Sequence, residues 1–155
     1  MDTDADAVMD TGAAHSETHS ETHGDTHVLR FVVPLGRPEE EVWPAVSTRE
    51  GLGTWLAAAD VLERHLGGAV TLRWLDEPGA AAVAGTVTAW DVERVVEYSL
   101  AGDAGRLRFH LEPGEHGDRG ATVLRFTHTF EGPDHLRRAR LAVWPARFHH
   151  LARAL

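Results

Sequence analysis

ATVLRFTHTFEG, residues 121–132, runs directly into PDHLRRARLAVWPARFHHLARAL, residues 133–155. The first stretch alternates Leu124, Phe126, His128 and Phe130 against Val123, Arg125, Thr127 and Thr129. A period of two is the signature of a strand. The second stretch changes period. Leu141, Trp144, Phe148, Leu151 and Leu155 step by three, four, three and four, which makes one apolar stripe on a helix. Arg137, Arg138, Arg140, Arg147 and Arg153 fall mostly off that stripe. Pro145 would leave the Leu141 carbonyl without its helical donor, so a kink or a fresh helix start is expected there. A helix with one greasy face needs a layer to cover, and a β-layer precedes it.

Working back from this stretch, the chain reads as more strands behind two short helices. HVLRFVVPL, residues 27–35, is β-branched and aromatic and suits a first strand. Pro38 suits a first helical position, and Glu39, Glu40 and Glu41 suit the positive end of a helix. Val42, Trp43 and Val46 then fall at helical spacing. REGLGTWLAAAD, residues 49–60, reads as a second short helix with Leu52, Trp55 and Leu56 inward. Short strands follow within residues 60–68, 69–77, 82–91, 93–101 and 105–113, separated by Gly-rich turns. The pattern predicts an α+β domain, an antiparallel meander of about six or seven strands followed by the long C-terminal helix.

Composition excludes several kinds of chemistry. All 15 basic residues are Arg, so no lysine amine is present to form a Schiff base. There is no Cys, hence no disulfide, thiolate nucleophile or Cys-ligated metal. Seven of the 24 acidic residues lie in the first 26 positions, which contain neither Arg nor Lys. The remainder is close to charge balance, with 17 acidic residues against 15 basic ones. No basic excess is left to neutralise phosphates, so nucleic acid is not an expected partner. No apolar run approaches the roughly 20 residues of a membrane span, and no leader is recognisable, so a cytoplasmic protein is expected.

Residues 1–26 read as a disordered acidic, His-rich tail ahead of a domain at 27–155. In HSETHSETHGDTH, residues 15–27, His15, His19, His23 and His27 recur every four residues. On a helix that spacing would stack imidazoles for a borderline metal ion. The Ser, Thr and Gly between them are poor helix formers and favour a linker.

The order strand, two short helices, a run of strands and a long helix resembles the START-like (SRPBCC) superfamily, whose fold is the helix-grip fold. The local motifs resemble its AHSA branch, homologues of the activator of heat-shock-protein-90 ATPase, in the short bacterial form. The stretches that carry the likeness are PEEEVWPAVSTREGLGTWLA, RHLGGAVTLRW, GTVTAWDVERVVEYSL, GATVLRFTHTF and VWPARFHHLARAL, within residues 28–155. Trp43, Trp55, Gly67, Gly68, Gly85, Thr122, His128 and Trp144 fall where that pattern has them. Val143 and Leu66 depart from it, standing where the family often has Gly and Pro.

The resemblance implies an apolar cavity between sheet and helix that binds, sequesters or carries a small hydrophobic molecule. Such a molecule would be aromatic, polyketide-like or lipid-like, and natural-product self-resistance is one role for such a binder. Trp55, Trp74, Trp90, Phe109, Phe126, Phe130, Trp144 and Phe148 are the rings that would line the cavity, or that simply fill the core. His128 shares the face of Phe126 and Phe130. It would orient a ligand, act as acid or base, or be satisfied internally as a core histidine. Arg73, Glu97 and Tyr98 are further polar candidates, although Glu97 and Tyr98 must face opposite ways. No nucleophile elbow, zinc motif, phosphate loop or dinucleotide fingerprint is present, so no cofactor is expected. Two alternatives follow from the same resemblance. One is a polyketide cyclase or aromatase with His128 as its acid or base. The other is a module that stimulates a chaperone ATPase.

Overall fold

The computed structural model describes residues 16–155. In chain order the elements are β1 (Glu17–His23), β2 (Thr26–Leu35), α1 (Glu39–Ser47), α2 (Arg49–Leu52), β3 (Ala57–Leu62), β4 (Ala69–Trp74), β5 (Val83–Asp91), β6 (Val95–Leu100), β7 (Gly105–Gly114), β8 (Asp118–Glu131) and α3 (Asp134–Ala154). The strands form one antiparallel sheet in the order β1-β2-β8-β7-β6-β5-β4-β3. The sheet curves around α3, which is the helix-grip arrangement of an α+β domain.

Register explains why this sheet has one greasy face. Phe31 on β2 lies opposite Phe126 on β8, and Phe126 lies opposite Phe109 on β7. Phe109 faces Val96 on β6, and Val96 faces Trp90 on β5. One transverse row is therefore apolar across five strands. Leu29, His128, Leu107, Tyr98 and Val87 make the next row. A slip of one residue in any strand would turn its share of these rows to solvent.

The helices α1 and α2 close one end of the core. Val42, Trp43 and Val46 are buried, as their spacing predicts. Pro38 caps α1 from outside its first turn instead of occupying it. The last carbonyls of a helix lack intrahelical donors, and here each of the last four has one. Thr48 N–H donates to Pro44, the Trp55 indole to Ala45 (2.8 Å), the Tyr98 hydroxyl to Val46 (2.7 Å) and the Arg64 guanidinium to Ser47 (2.9 Å). Gly51 permits the tight α1–α2 corner, because a Cβ there would meet the Pro44 carbonyl oxygen at 1.9 Å.

Three expectations change. The second helix ends at Leu52, and Ala57–Leu62 is a strand. Its Ala57 and Ala59 pair with Trp74 and Leu72, so sheet hydrogen bonds override the helix propensity of an alanine run. No fresh helix starts at Pro145, since α3 is continuous from Asp134 to Ala154. The tail expected to be disordered to residue 26 instead supplies an eighth strand: Glu17–His23 pairs along β2 through the two-residue loop Gly24–Asp25. Its hydrogen bonds come from the β2 backbone, so it needs no apolar side chains. The part of the tail before residue 16 lies outside the described residues.

The Tyr98 hydroxyl is wholly buried, and burial raises its pKa well above the usual value. Tyr98→Phe leaves the Val46 carbonyl without a partner. We expect a loss of about 1–2 kcal/mol in denaturant unfolding with an unchanged m-value.

Candidate functional site

The space between sheet and α3 is occupied largely by rings in mutual contact. Phe126 lies 4.2 Å from Trp144, 4.9 Å from Phe109 and 5.3 Å from Phe148, centroid to centroid. Trp144 stacks on Phe148 at 5.4 Å, and Trp55 meets both Phe109 and Phe148. Trp55, Phe109, Phe126, Phe130, Trp144 and Phe148 are all buried. Trp74 and Trp90 are partly buried, Trp90 against the edge of Trp43 at 5.3 Å. Of the rings proposed as pocket lining, most touch one another rather than an opening.

His128 is 3% exposed and both its nitrogens are engaged. Nε2–H donates to the Ala104 carbonyl at 2.7 Å, and Nδ1 accepts the Trp144 indole N–H at 3.0 Å. The Ala104 carbonyl can only accept, so the imidazole is the neutral Nε2–H tautomer. Burial pushes its pKa down to about 3; the Ala104 bond opposes this, while the charges of Arg140 and Arg147 add to it. His128 therefore fastens α3 to β8 and to the Ala104 turn, and it presents no free nitrogen to a substrate.

Arg147 departs from its expected place on the outer face of α3. It is 5% exposed. Its guanidinium forms a two-pronged bond to Asp76 at 2.8 and 2.9 Å, and it lies over the Trp74 and Trp144 rings at 4.9 and 4.7 Å. The pair closes the β4–β5 loop onto the helix, and the Arg147 hydrogen bond holds the Asp76 carboxyl below its usual pKa. An arginine carries a long apolar stem and a flat face that stacks on indole. Spacing by hydropathy counts it as polar and so misplaces it.

Beside this packed wall, a half-open groove of about 310 Å3 separates α3 from the first two strands. Phe31, Val33 and Pro34 line it from β2, and Phe148 borders it from the helix. Pro145, His149 and Ala152 share one helix face by their spacing of four and three. Ser16 and Thr18 supply polar groups from the N-terminal side. Of the expected pocket rings, only Phe148 is here. Phe31, Pro145 and Ala152 were legible as an apolar face only once the neighbouring strand was known.

The other candidates have local roles. Tyr98 faces inward and Glu97 outward, as alternation requires. Glu97 accepts from the Thr88 hydroxyl at 2.6 Å, and Arg73 pairs with Asp60 at 2.8 Å, both on the exposed side. In the N-terminal repeat, His27 turns inward. Its Nε2–H donates to the Gly132 carbonyl at 2.8 Å, and its Nδ1 accepts from Thr22 at 2.9 Å. His19 and His23 stay on the outer side of β1, where Glu21 pairs with His23 and Arg30. A strand separates residues four apart by about 13 Å, so the stacked imidazole face of a helix does not form. Among the described residues no group of three or more His, Asp or Glu is arranged to hold a metal ion, and His15 lies outside them. No helix of the described residues is long and apolar enough to cross a membrane.

No family model and no curated protein matches this chain. Solved structures do resemble it. CalU16 from Micromonospora echinospora is 17% identical with a TM-score of 0.65, over 89% of this chain and 84% of that one. EF2215 from Enterococcus faecalis, described as a conserved protein of unknown function, is 15% identical with a TM-score of 0.67, over 88% and 75%. An Aha1 dimer from Colwellia psychrerythraea is 21% identical with a TM-score of 0.64, over 83% and 95%. At these identities the likeness establishes the shared fold and nothing finer.

Two measurements check the core of this site. The folded state holds His128 neutral down to about pH 3, whereas an unfolded histidine takes up its proton near pH 6.5. Its contribution to stability is therefore complete above pH 6.5 and is lost progressively as pH falls towards 3, by up to about 1.4 kcal/mol per pH unit. Imidazole 15N spectra at pH 5 should show His128 still neutral and protonated at Nε2, its Nδ1 resonance moving in a Trp144→Phe variant. Separately, Arg147→Lys keeps the charge but loses the fork and the stacking. We expect it to lower unfolding stability by about 1–3 kcal/mol.

Proposed function

We propose that the protein binds a small apolar molecule, aromatic or lipid-like, in the groove between α3 and β1–β2. The groove carries the proposal: its volume of about 310 Å3 lies at the lower end of the roughly 300–1,000 Å3 usual for small-molecule sites. Phe31, Val33, Pro34 and Phe148 offer an apolar floor, and Thr18 and His149 offer hydrogen-bonding groups at its edge. A few polar groups around an apolar floor fix a ligand's orientation without chemical change. Such a binder serves sequestration or transport, and self-resistance where the ligand is a natural product. The chain's own motifs support placing it in the AHSA-like branch of the START-like superfamily.

The cyclase-like reading asks for an available acid or base. His128, its candidate, has both nitrogens engaged behind Trp144. The chaperone-activator reading draws support only from the quoted stretches and from a shared fold, and fold alone does not assign function.

The test is a methyl and amide NMR titration of the full chain with 1-anilinonaphthalene-8-sulfonate and, separately, with a long-chain fatty acid. Shifts should concentrate at Val33, Phe148 and Ala152. Ala152 is exposed, so Ala152→Trp fills the groove at little cost to folding, and it should weaken binding at least about 10-fold, or 1.4 kcal/mol. Shifts absent from the groove with both probes, or unaffected by Ala152→Trp, would remove the proposal.

A further inference from the structure

The sheet has two edges, β1 and β3. An open edge invites pairing with another chain unless something blunts it. β3 is blunted: it has six residues and its register breaks between Ala59 and Val61. β1 is not. Its seven residues run in unbroken register along β2, with no Pro and no bulge.

Backbone geometry says which groups that edge presents. The two-residue loop Gly24–Asp25 makes His23 and Thr26 a hydrogen-bonded pair. Alternation then aims the N–H and C=O groups of Glu17, His19, Glu21 and His23 at β2, and those of Thr18, Ser20 and Thr22 away from the sheet. Among the described residues no strand pairs with this outer side.

The sequence of the edge is complementary to itself. Laid antiparallel against a copy and centred on Ser20, Glu17 meets His23, His19 meets Glu21, Thr18 meets Thr22 and Ser20 meets Ser20. The outward-pointing residues are the ones that meet as hydrogen-bonded pairs. Both Glu–His pairs fall at the other positions, where facing side chains come closest. Sliding the register by two residues either way sets Glu21 against a glutamate and His19 against a histidine, and a slide of four restores Glu–His pairs over only three residues, so the centred alignment is the one that pairs the whole strand without like facing like. Arg30 and His23 already hold the Glu21 carboxylate extended on the outer side of the sheet.

We propose that this edge is a self-association surface. Two copies join through β1, antiparallel about a two-fold axis at Ser20, so that the two eight-stranded sheets become one. The contact is isologous, with the same patch on both copies. About six backbone hydrogen bonds over a single short strand make a small interface, so the dimer is weak and concentration-dependent. This inference stands apart from ligand binding in the groove.

The chain has no cysteine, so single introduced thiols report the register directly. Under mild oxidation Ser20→Cys should cross-link to a dimer. Thr18→Cys alone and Thr22→Cys alone should not, whereas an equimolar mixture of the two should. Sedimentation of the unmodified chain should show its mass rising towards that of two chains as concentration approaches about 1 mM. Ser20→Pro removes the outward N–H and a hydroxyl that accepts only a long bond from Arg137 (3.4 Å), so it should shift the thermal midpoint little and stay a single chain. His19→Glu sets glutamate against Glu21 and should weaken the dimer at least about 10-fold, and the double variant His19→Glu, Glu21→His should restore it. A single-chain mass throughout, a dimer that persists in Ser20→Pro, or Thr18→Cys cross-linking as readily as Ser20→Cys would each overturn the proposal.

Discussion

Trp144 is where helix α3 is joined to the sheet, and most of the interior is arranged around it. Its indole packs on Phe126 and Phe148, and the Arg147 guanidinium lies over the same ring system. Its N–H is buried and needs an acceptor, which His128 provides on β8. His128 in turn needs an acceptor for its own proton and finds the Ala104 carbonyl at the turn before β7. This short chain of hydrogen bonds fixes the height and rotation of α3 over the sheet. It leaves no buried polar atom of the two side chains unsatisfied.

The same demand operates at the other end of the core. A helix that stops inside a packed layer exposes carbonyls where water does not reach. The last turn of α1 meets that demand with donors from three separate parts of the chain, namely Trp55, Arg64 and Tyr98. Trp55 and Tyr98 thus have structural duties that account for their inward orientation without a ligand. Aromatics that read as pocket lining become core, and the pocket moves to the flank of α3. There Pro145 and Ala152 offer too little bulk to reach β2.

The N-terminal segment shows how far composition can mislead. Its side chains carry no hydrophobic reason to fold, and taken alone the stretch belongs with linkers. A strand needs little from its side chains, however, when the adjoining edge supplies the hydrogen bonds. The polar alternation of Glu17–His23 is compatible with that role, and His27 ties the hairpin to the start of α3 through Gly132. Arg147 illustrates the reverse error. Read as a charge it belongs outside, yet its stem and planar head suit a buried slot between two indoles.

Short-range order was legible in the amino-acid sequence, because periods of two and 3.6 decide which residues can share a face. The antiparallel strands, the stripe Trp144, Phe148 and Leu151, and the inward side of His128 all follow from that. The order of those elements, and its likeness to the START-like pattern, carried the fold class. What required the tertiary structure was everything that depends on who sits opposite. That includes the donors for the α1 carbonyls, the acceptor for each nitrogen of His128, the carboxylate for Arg147 and the edge that orders β1. Such pairings join residues far apart in the chain, as with His27 and Gly132, 105 positions from each other. Local pattern has no term for them, because a hydrogen bond is specified by geometry across the fold and not by spacing along the chain.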